Sequence, residues 1–132
     1  MRIPQISAST ITKKIANGEY SLKLSQQQYD KHRNGTRDYE RYKEQRERKG
    51  YGPQSRLLIN KEESQEIIVK QSGTGIIKTR KDGSPTNIEQ ITCDRVIGEY
   101  YQKGKWVSTN KAAIHHGRRE SHLVPIKGSN YD

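Results

Sequence analysis

Apolar residues are sparse along this chain, and their spacing changes character midway. Residues 7–17 read as a short helix, with Ser9 or Thr10 as N-cap and Gly18 as C-cap. Residues 19–24 alternate polar and apolar positions, as a short strand does. The stretch 26–50 is polar and rich in Arg and Lys. Within it, 37–49 fits a helix through Tyr39, Tyr42 and spaced charges, and fits a mobile loop equally well. Asn60-Lys-Glu-Glu63 has the form of a capping box, with Asn60 at the N-cap and Glu63 three positions on. Ile67, Ile68 and Val69 follow as the apolar segment, and Gly73 stops the helix.

Beyond Gly73 the period shortens to that of strands. Segments 74–79 and 87–93 flank the turn Lys81–Ser84, 96–101 and 105–109 flank Gln102–Lys105, and 112–116 and 121–126 flank Gly117–Glu120. Helices first and strands second predict an α+β fold, with N-terminal helices packed on a twisted antiparallel meander of four or more strands. Residues 1–18 are expected as an N-terminal helical segment and 19–132 as a single domain.

Composition narrows the class. The chain has 132 residues, 29% hydrophobic and no Phe. Leu, Ile and Val together fall below the ~20% level at which high charge usually signals disorder. Eight tyrosines, one Trp and the strand-like alternation argue instead for a folded domain with a thin core. A net charge of +10 favours polyanionic partners. No apolar run approaches the ~20 residues that span a bilayer, and Met1–Gly18 lacks the apolar core of a secretory signal. Membrane binding is therefore not expected. Cys93 is alone, so no intrachain disulfide forms.

The candidate chemistry lies in I-H-H-G-R-R-E-S-H-L-V-P, residues 114–125, which holds three of the four histidines and two arginines. His32 lies upstream in K-H-R-N-G-T, before the turn dipeptide Asn34-Gly35. Imidazoles exchange protons near neutral pH, and guanidinium groups hold phosphate. Together on a basic chain they point to chemistry on a phosphodiester. Adjacent strand residues face opposite sides, so His116 shares the core-facing side of Ile114 and His115 points away. His122 shares the face of Val124 and Ile126, or the opposite one if the strand twists. A zinc site built from Cys93, His115, His116 and His122 lacks the ligand spacing of a closed centre, and no clustered carboxylates suggest metal-dependent cleavage. No metal and no cofactor is expected. Tyr100, Tyr101 and Trp106 lie among lysines, and aromatics interleaved with cations suit unpaired bases, with Tyr100 and Trp106 as stacking candidates. Gly73-Thr-Gly75 lacks the Lys-Ser/Thr of a phosphate loop and reads as a helix stop.

These motifs carry a resemblance. Gln26–Thr36 (Q-Q-Q-Y-D-K-H-R-N-G-T), then S-R-L-L at 55–58, G-T-G at 73–75, V-I-G-E-Y at 96–100 and the histidine-rich terminus resemble, in that order, the polymorphic toxin type 50 family. The resemblance implies a ribonuclease toxin of the barnase–EndoU–colicin–RelE-like superfamily, small α+β folds around a four-stranded antiparallel sheet. Such domains commonly form the C-terminal warheads of secreted bacterial toxins or are joined to phage head proteins, and this implies action in the cytoplasm of a target bacterium. Family members tend to carry I-H-Y-S-K where this chain has Ile114-His115-His116-Gly117-Arg118, so Arg118 or Arg119 stands in for the missing serine.

On motif position and residue chemistry, His32 and His122 are expected as the acid–base pair, with His115 in reserve. Lys31, Arg33 and Arg56 are expected on phosphate, with Thr36 and Thr109 as hydrogen-bond donors. The expected partners are RNA and an acidic immunity protein that covers a basic cleft, and the chain is expected as a monomer. Two other classes fit part of the pattern. One is a non-catalytic nucleic-acid-binding module of the phage-head accessory type. The other is an ADP-ribosyltransferase toxin, weakened because no E-x-E or Q-x-E follows Thr109.

Overall fold

The computed structural model describes residues 6–127; residues 1–5 and 128–132, the outer ends of the two expected segments, lie outside it. The described residues form an α+β fold with four helices and eight strands. In chain order these are β1 (Ile6–Ser7), α1 (Ser9–Ala16), α2 (Gln26–Lys31), α3 (Arg37–Arg48), β2 (Arg56–Leu57) and α4 (Lys61–Gln71). Then come β3 (Ile76–Thr79), β4 (Pro85–Thr92), β5 (Gly98–Gln102), β6 (Lys105–Thr109), β7 (Lys111–His115) and β8 (His122–Pro125).

The strands do not form one meander. They form an antiparallel five-stranded sheet in the order β1-β3-β4-β7-β8 and a three-stranded sheet in the order β2-β5-β6. The β5–β6 hairpin leaves the main sheet, and β4 pairs directly with β7 across the gap it leaves. Gly98 marks where the two sheets approach: a Cβ there would lie 2.4 Å from Pro125 Cγ on β8. The main core gathers Tyr29, Leu57, Ile68, Ile91, Ile97, Ile114 and Leu123, joining α2, β2, α4 and the main sheet. A smaller cluster of Ala8, Ile11 and Ile77 seats α1 on β3.

Local signals explain most helix ends. Asn60 Oδ1 accepts the Glu63 N–H at 2.8 Å, and Glu63 Oε1 accepts the Asn60 N–H at 3.2 Å, the reciprocal pair expected for α4. Thr36 Oγ1 accepts the Tyr39 N–H at 3.0 Å and starts α3, so 37–49 is helix and not loop. Three expectations change. The helix at 7–17 begins at Ser9 with Ala8 as N-cap and no side-chain cap, because Ser7 is drawn into β1 beside β3. Residues 19–24 form no strand: they make a single parallel bridge, Leu24 to Ser121, and the Ser21 N–H donates to Gly117 O at 2.8 Å. A further helix, α2, occupies part of the polar stretch, capped by the Ser25 hydroxyl.

The deepest polar feature is Glu89 on β4, fully buried. Its carboxylate accepts the Gly73 N–H at 3.0 and 2.9 Å and the Gly75 N–H at 2.8 Å, and His116 Nε2 lies 2.8 Å away. The G-T-G segment is thus more than a helix stop: its amides cradle the chain's own carboxylate. Glycine is required at both ends. Gly73 has φ +92°, and a Cβ at Gly75 would sit 2.1 Å from Gln90 O.

Replacing Glu89 by Ala would leave these buried donors without an acceptor. The expected loss is about 3 kcal/mol or more, read as a lowered urea midpoint with unchanged slope. Asn60→Ala, which removes only a cap, is expected to cost about 1 kcal/mol. A Glu89→Ala protein as stable as Asn60→Ala would show that the cradle is not what holds this region.

Candidate active site

The strand pleat separates the two neighbouring histidines. His116 turns inward with Ile114, onto Glu89, and stacks on Tyr20 with ring centroids 5.2 Å apart. His115 turns to the opposite face. There the β7–β8 register sets it across from His122, and the two imidazoles stack at 4.6 Å with an interplanar angle of 22°. Val124 lies on the face of His122, while Leu123 and Pro125 are buried on the other.

The upstream histidine is brought to this pair by the turn between α2 and α3. His32 is the C-cap of α2, and its backbone oxygen accepts the Leu57 N–H at 2.7 Å. Gln54 Nε2 donates to Lys31 O and Tyr39 O, both at 2.9 Å, pinning the 54–57 segment beside this turn. His32 Nδ1 lies 2.9 Å from Ser55 O, a carbonyl that only accepts, so the ring hydrogen sits on Nδ1 and Nε2 is bare. A cavity of about 290 Å³ results, lined by His32, Tyr42, Arg46, Tyr100, Tyr101 and His115, with the 53–55 segment and Val124 completing it.

Burial and mutual proximity hold all three imidazoles neutral. His32 is pushed down to about 4, mainly because burial penalises its cation, with His115, Arg46 and Lys31 adding repulsion against the Ser55 hydrogen bond. His122 is pushed down to about 3, by burial first and then by His115, His32 and Lys31. His115 is lowered too, by burial, Lys78 and His116. Two cations stay beside the cleft. Lys31 Nζ lies 5.6 Å from the Tyr42 ring centroid, and the Arg46 guanidinium lies between Tyr42 and Tyr51 at 5.9 and 5.6 Å.

The other expected site residues fall into two groups. Several are committed to the fold. Arg33 Nη1 donates to Leu57 O at 3.0 Å and Ile59 O at 3.3 Å. The Thr36 hydroxyl lies 2.6 Å from Asp30 O besides capping α3. Thr109 is buried, and its hydroxyl donates to Ile126 O at 2.7 Å. Arg56 Nε donates to the Tyr39 hydroxyl, its Nη1 lies 3.5 Å from Glu99, and its guanidinium lies 3.8 Å from the Trp106 ring centroid. Trp106 thus already carries a partner on its ring, and Tyr101 meets it edge-on at 5.3 Å. Arg118 and Arg119 form the exposed part of the β7–β8 turn, without an ion pair among the described residues.

Sequence reasoning passed over Tyr42, Arg46 and Ser55. Tyr39, Tyr42 and Arg46 recur at helical spacing along one face of α3, the signal that places them together. Two larger cavities, of about 460 and 690 Å³, lie elsewhere and contain no histidine. Chemistry rather than volume selects the histidine cleft. Among the described residues no three His, Cys, Asp or Glu side chains converge to hold a metal ion, and Cys93 is buried in the core.

A family model described as Bacterial toxin 50 matches residues 24–125. That span contains every histidine of the chain and excludes α1. No curated protein and no solved structure matches the chain.

Because the cleft keeps its imidazoles neutral, the rings of His32 and His122 should stay unprotonated in NMR titrations down to about pH 5. The unfolded chain takes up these protons near 6.5, whereas the folded one resists until about 4 and about 3. The unfolded state therefore binds more protons inside this window. The contribution of both groups to stability is complete above 6.5 and is lost progressively as pH falls toward the folded values. Ring titration near 6.5 at either residue would contradict the burial argument.

Proposed function

The chain belongs to the bacterial toxin 50 family, and from that premise we propose that its histidine cleft is an endoribonuclease site. The reaction is metal-independent transesterification: the 2′-OH of RNA attacks the adjacent phosphate and leaves a 2′,3′-cyclic phosphate. The single observation that carries the reading is that neutral His32 and His115 line one cavity with Arg46, His122 stacks on His115, and Lys31 lies near by.

Such a reaction needs a base, an acid and positive charge. His32 serves as the base: with its hydrogen held on Nδ1 by Ser55 O, Nε2 is free to take the 2′-OH proton. The 2′-oxygen then bonds to phosphorus as the bond to the 5′-oxygen breaks. His122 gives its proton to that leaving oxygen, and His115, stacked against it, shares the charge. The free protein holds His122 neutral, so protonation must accompany substrate. A phosphate between Lys31 and the imidazole pair supplies the negative charge that offsets burial. Lys31 and Arg46 stabilise the charge that builds on the phosphoryl oxygens. Exchange with water returns both histidines to their starting states.

The same charge implies partners. A ribonuclease that spares its producer needs an inhibitor, and an acidic immunity protein over the Lys31–Arg46 face would associate quickly by electrostatic steering. The place of action is the cytoplasm of a target bacterium, where the RNA is. Among the described residues no helix is long and apolar enough to cross a membrane.

Incubation with total RNA and tRNA in excess EDTA should yield fragments ending in 2′,3′-cyclic phosphate. His32→Ala and His122→Ala should each lower kcat/KM by about 10²–10⁴-fold. RNA left intact both in EDTA and with added divalent metal would replace this reading with that of a binding module.

A further inference from the structure

A second cavity lies beside the histidine cleft, with Tyr100 lining both. Alternation places Lys111, Ala113 and His115 on one side of β7, with Val124 opposite Ala113 and His122 opposite His115. Lys111 thus stands about 13 Å from His115 along the strand, at roughly 3.3 Å per residue, with the buried Ala113 between them. Lys111 lines the cavity of about 460 Å³, together with Arg95, Tyr100, Ser108, Asn110 and Lys127. Tyr100 also lines the histidine cleft, so one ring borders both spaces.

The charge of this second cavity is one-sided. Among the described residues, none of its lining is acidic. Arg95 is neutralised by Glu63 at 2.6 Å. Lys111 Nζ meets the Thr92 hydroxyl at 3.3 Å, and Lys127 is exposed; neither pairs with a carboxylate among the described residues. Two ammonium groups with no carboxylate partner among the described residues, beside a phenol ring, suit a phosphate with its base. The larger cavity of about 690 Å³ differs, because Glu63, Glu66 and Asp94 line it.

We propose that the Tyr100–Lys111–Lys127 cavity is a second RNA subsite, which holds a nucleotide flanking the cleaved bond. Lys111 and Lys127 neutralise its phosphate, and Tyr100 carries its base at the boundary with the cleft. The inference rests on the ribonuclease reading of the histidine site and extends it to the substrate: an extended single strand of several nucleotides that passes Tyr100 from one cavity to the other.

The test uses a fluorescent octanucleotide with 2′-O-methyl groups throughout, which binds but cannot be cut, beside the matching dinucleotide. Lys111→Ala with Lys127→Ala should weaken octanucleotide binding about tenfold and the dinucleotide by a clearly smaller factor. The slope of affinity against salt should flatten by about 0.7 for each phosphate that is no longer neutralised. Lys13→Ala with Lys81→Ala removes equal charge from exposed positions on α1 and the β3–β4 turn. That pair should change octanucleotide affinity by less than about threefold. Equal losses from the two pairs, or an equal loss on both oligonucleotides, would overturn the subsite. If the wild-type protein cut no RNA while octanucleotide binding still depended on Lys111 and Lys127, the ribonuclease reading would fall and the RNA-binding surface would stand.

Discussion

The pleat of β7 at His115 and His116 is the constraint on which the site depends. Successive side chains must leave a strand on opposite faces, so two adjacent imidazoles are sent to unlike surroundings. His116 goes to the core, where the Glu89 carboxylate meets it and also ties down the Gly73–Gly75 turn after α4. That inward anchor fixes the strand's rotation. His115 then emerges on the other face, opposite His122, and the stacked pair follows from register alone. A one-residue slip would bury the wrong histidine and dissolve both arrangements.

A second set of contacts brings His32 to the pair. The 54–57 segment is short of apolar residues, and it is held chiefly by hydrogen bonds to the α2–α3 turn, through Gln54, Ser55 and Leu57. These bonds fix His32 as a capped helix end instead of a free loop residue. They also set its tautomer, which a solvated histidine would not hold. The electrostatic consequence is a cleft in which burial and the neighbouring cations keep the imidazoles neutral.

Much of this was legible in the residues. The Asn60–Glu63 capping box, the three turn signals and the opposite facing of His115 and His116 rest on local rules, and the structure shows each. The parts that were not legible depend on distant packing. Helix α2 has only Tyr29 as a buried residue, so no periodicity announces it. The two sheets come together where Gly98 meets Pro125, a contact between strands far apart in sequence. Thr36, Thr109 and Arg33 look like phosphate ligands by residue type, yet their hydrogen bonds close helix ends and strand junctions. Tyr42 and Arg46 share one face of α3 by helical spacing, but that this face packs beside His32 depends on tertiary contacts.

The most direct test of the central claim is the pH dependence of kcat/KM on a dinucleotide substrate, for wild type and His32→Ala. A base with a lowered pKa gives wild type a falling acidic limb, as His32 takes up its proton. With His32 as the base, this limb disappears in His32→Ala, while kcat, which reports the complex, still falls at high pH as His122 loses the proton it takes up with substrate. An acidic limb that persists unchanged in His32→Ala would contradict the assignment of His32 as the base.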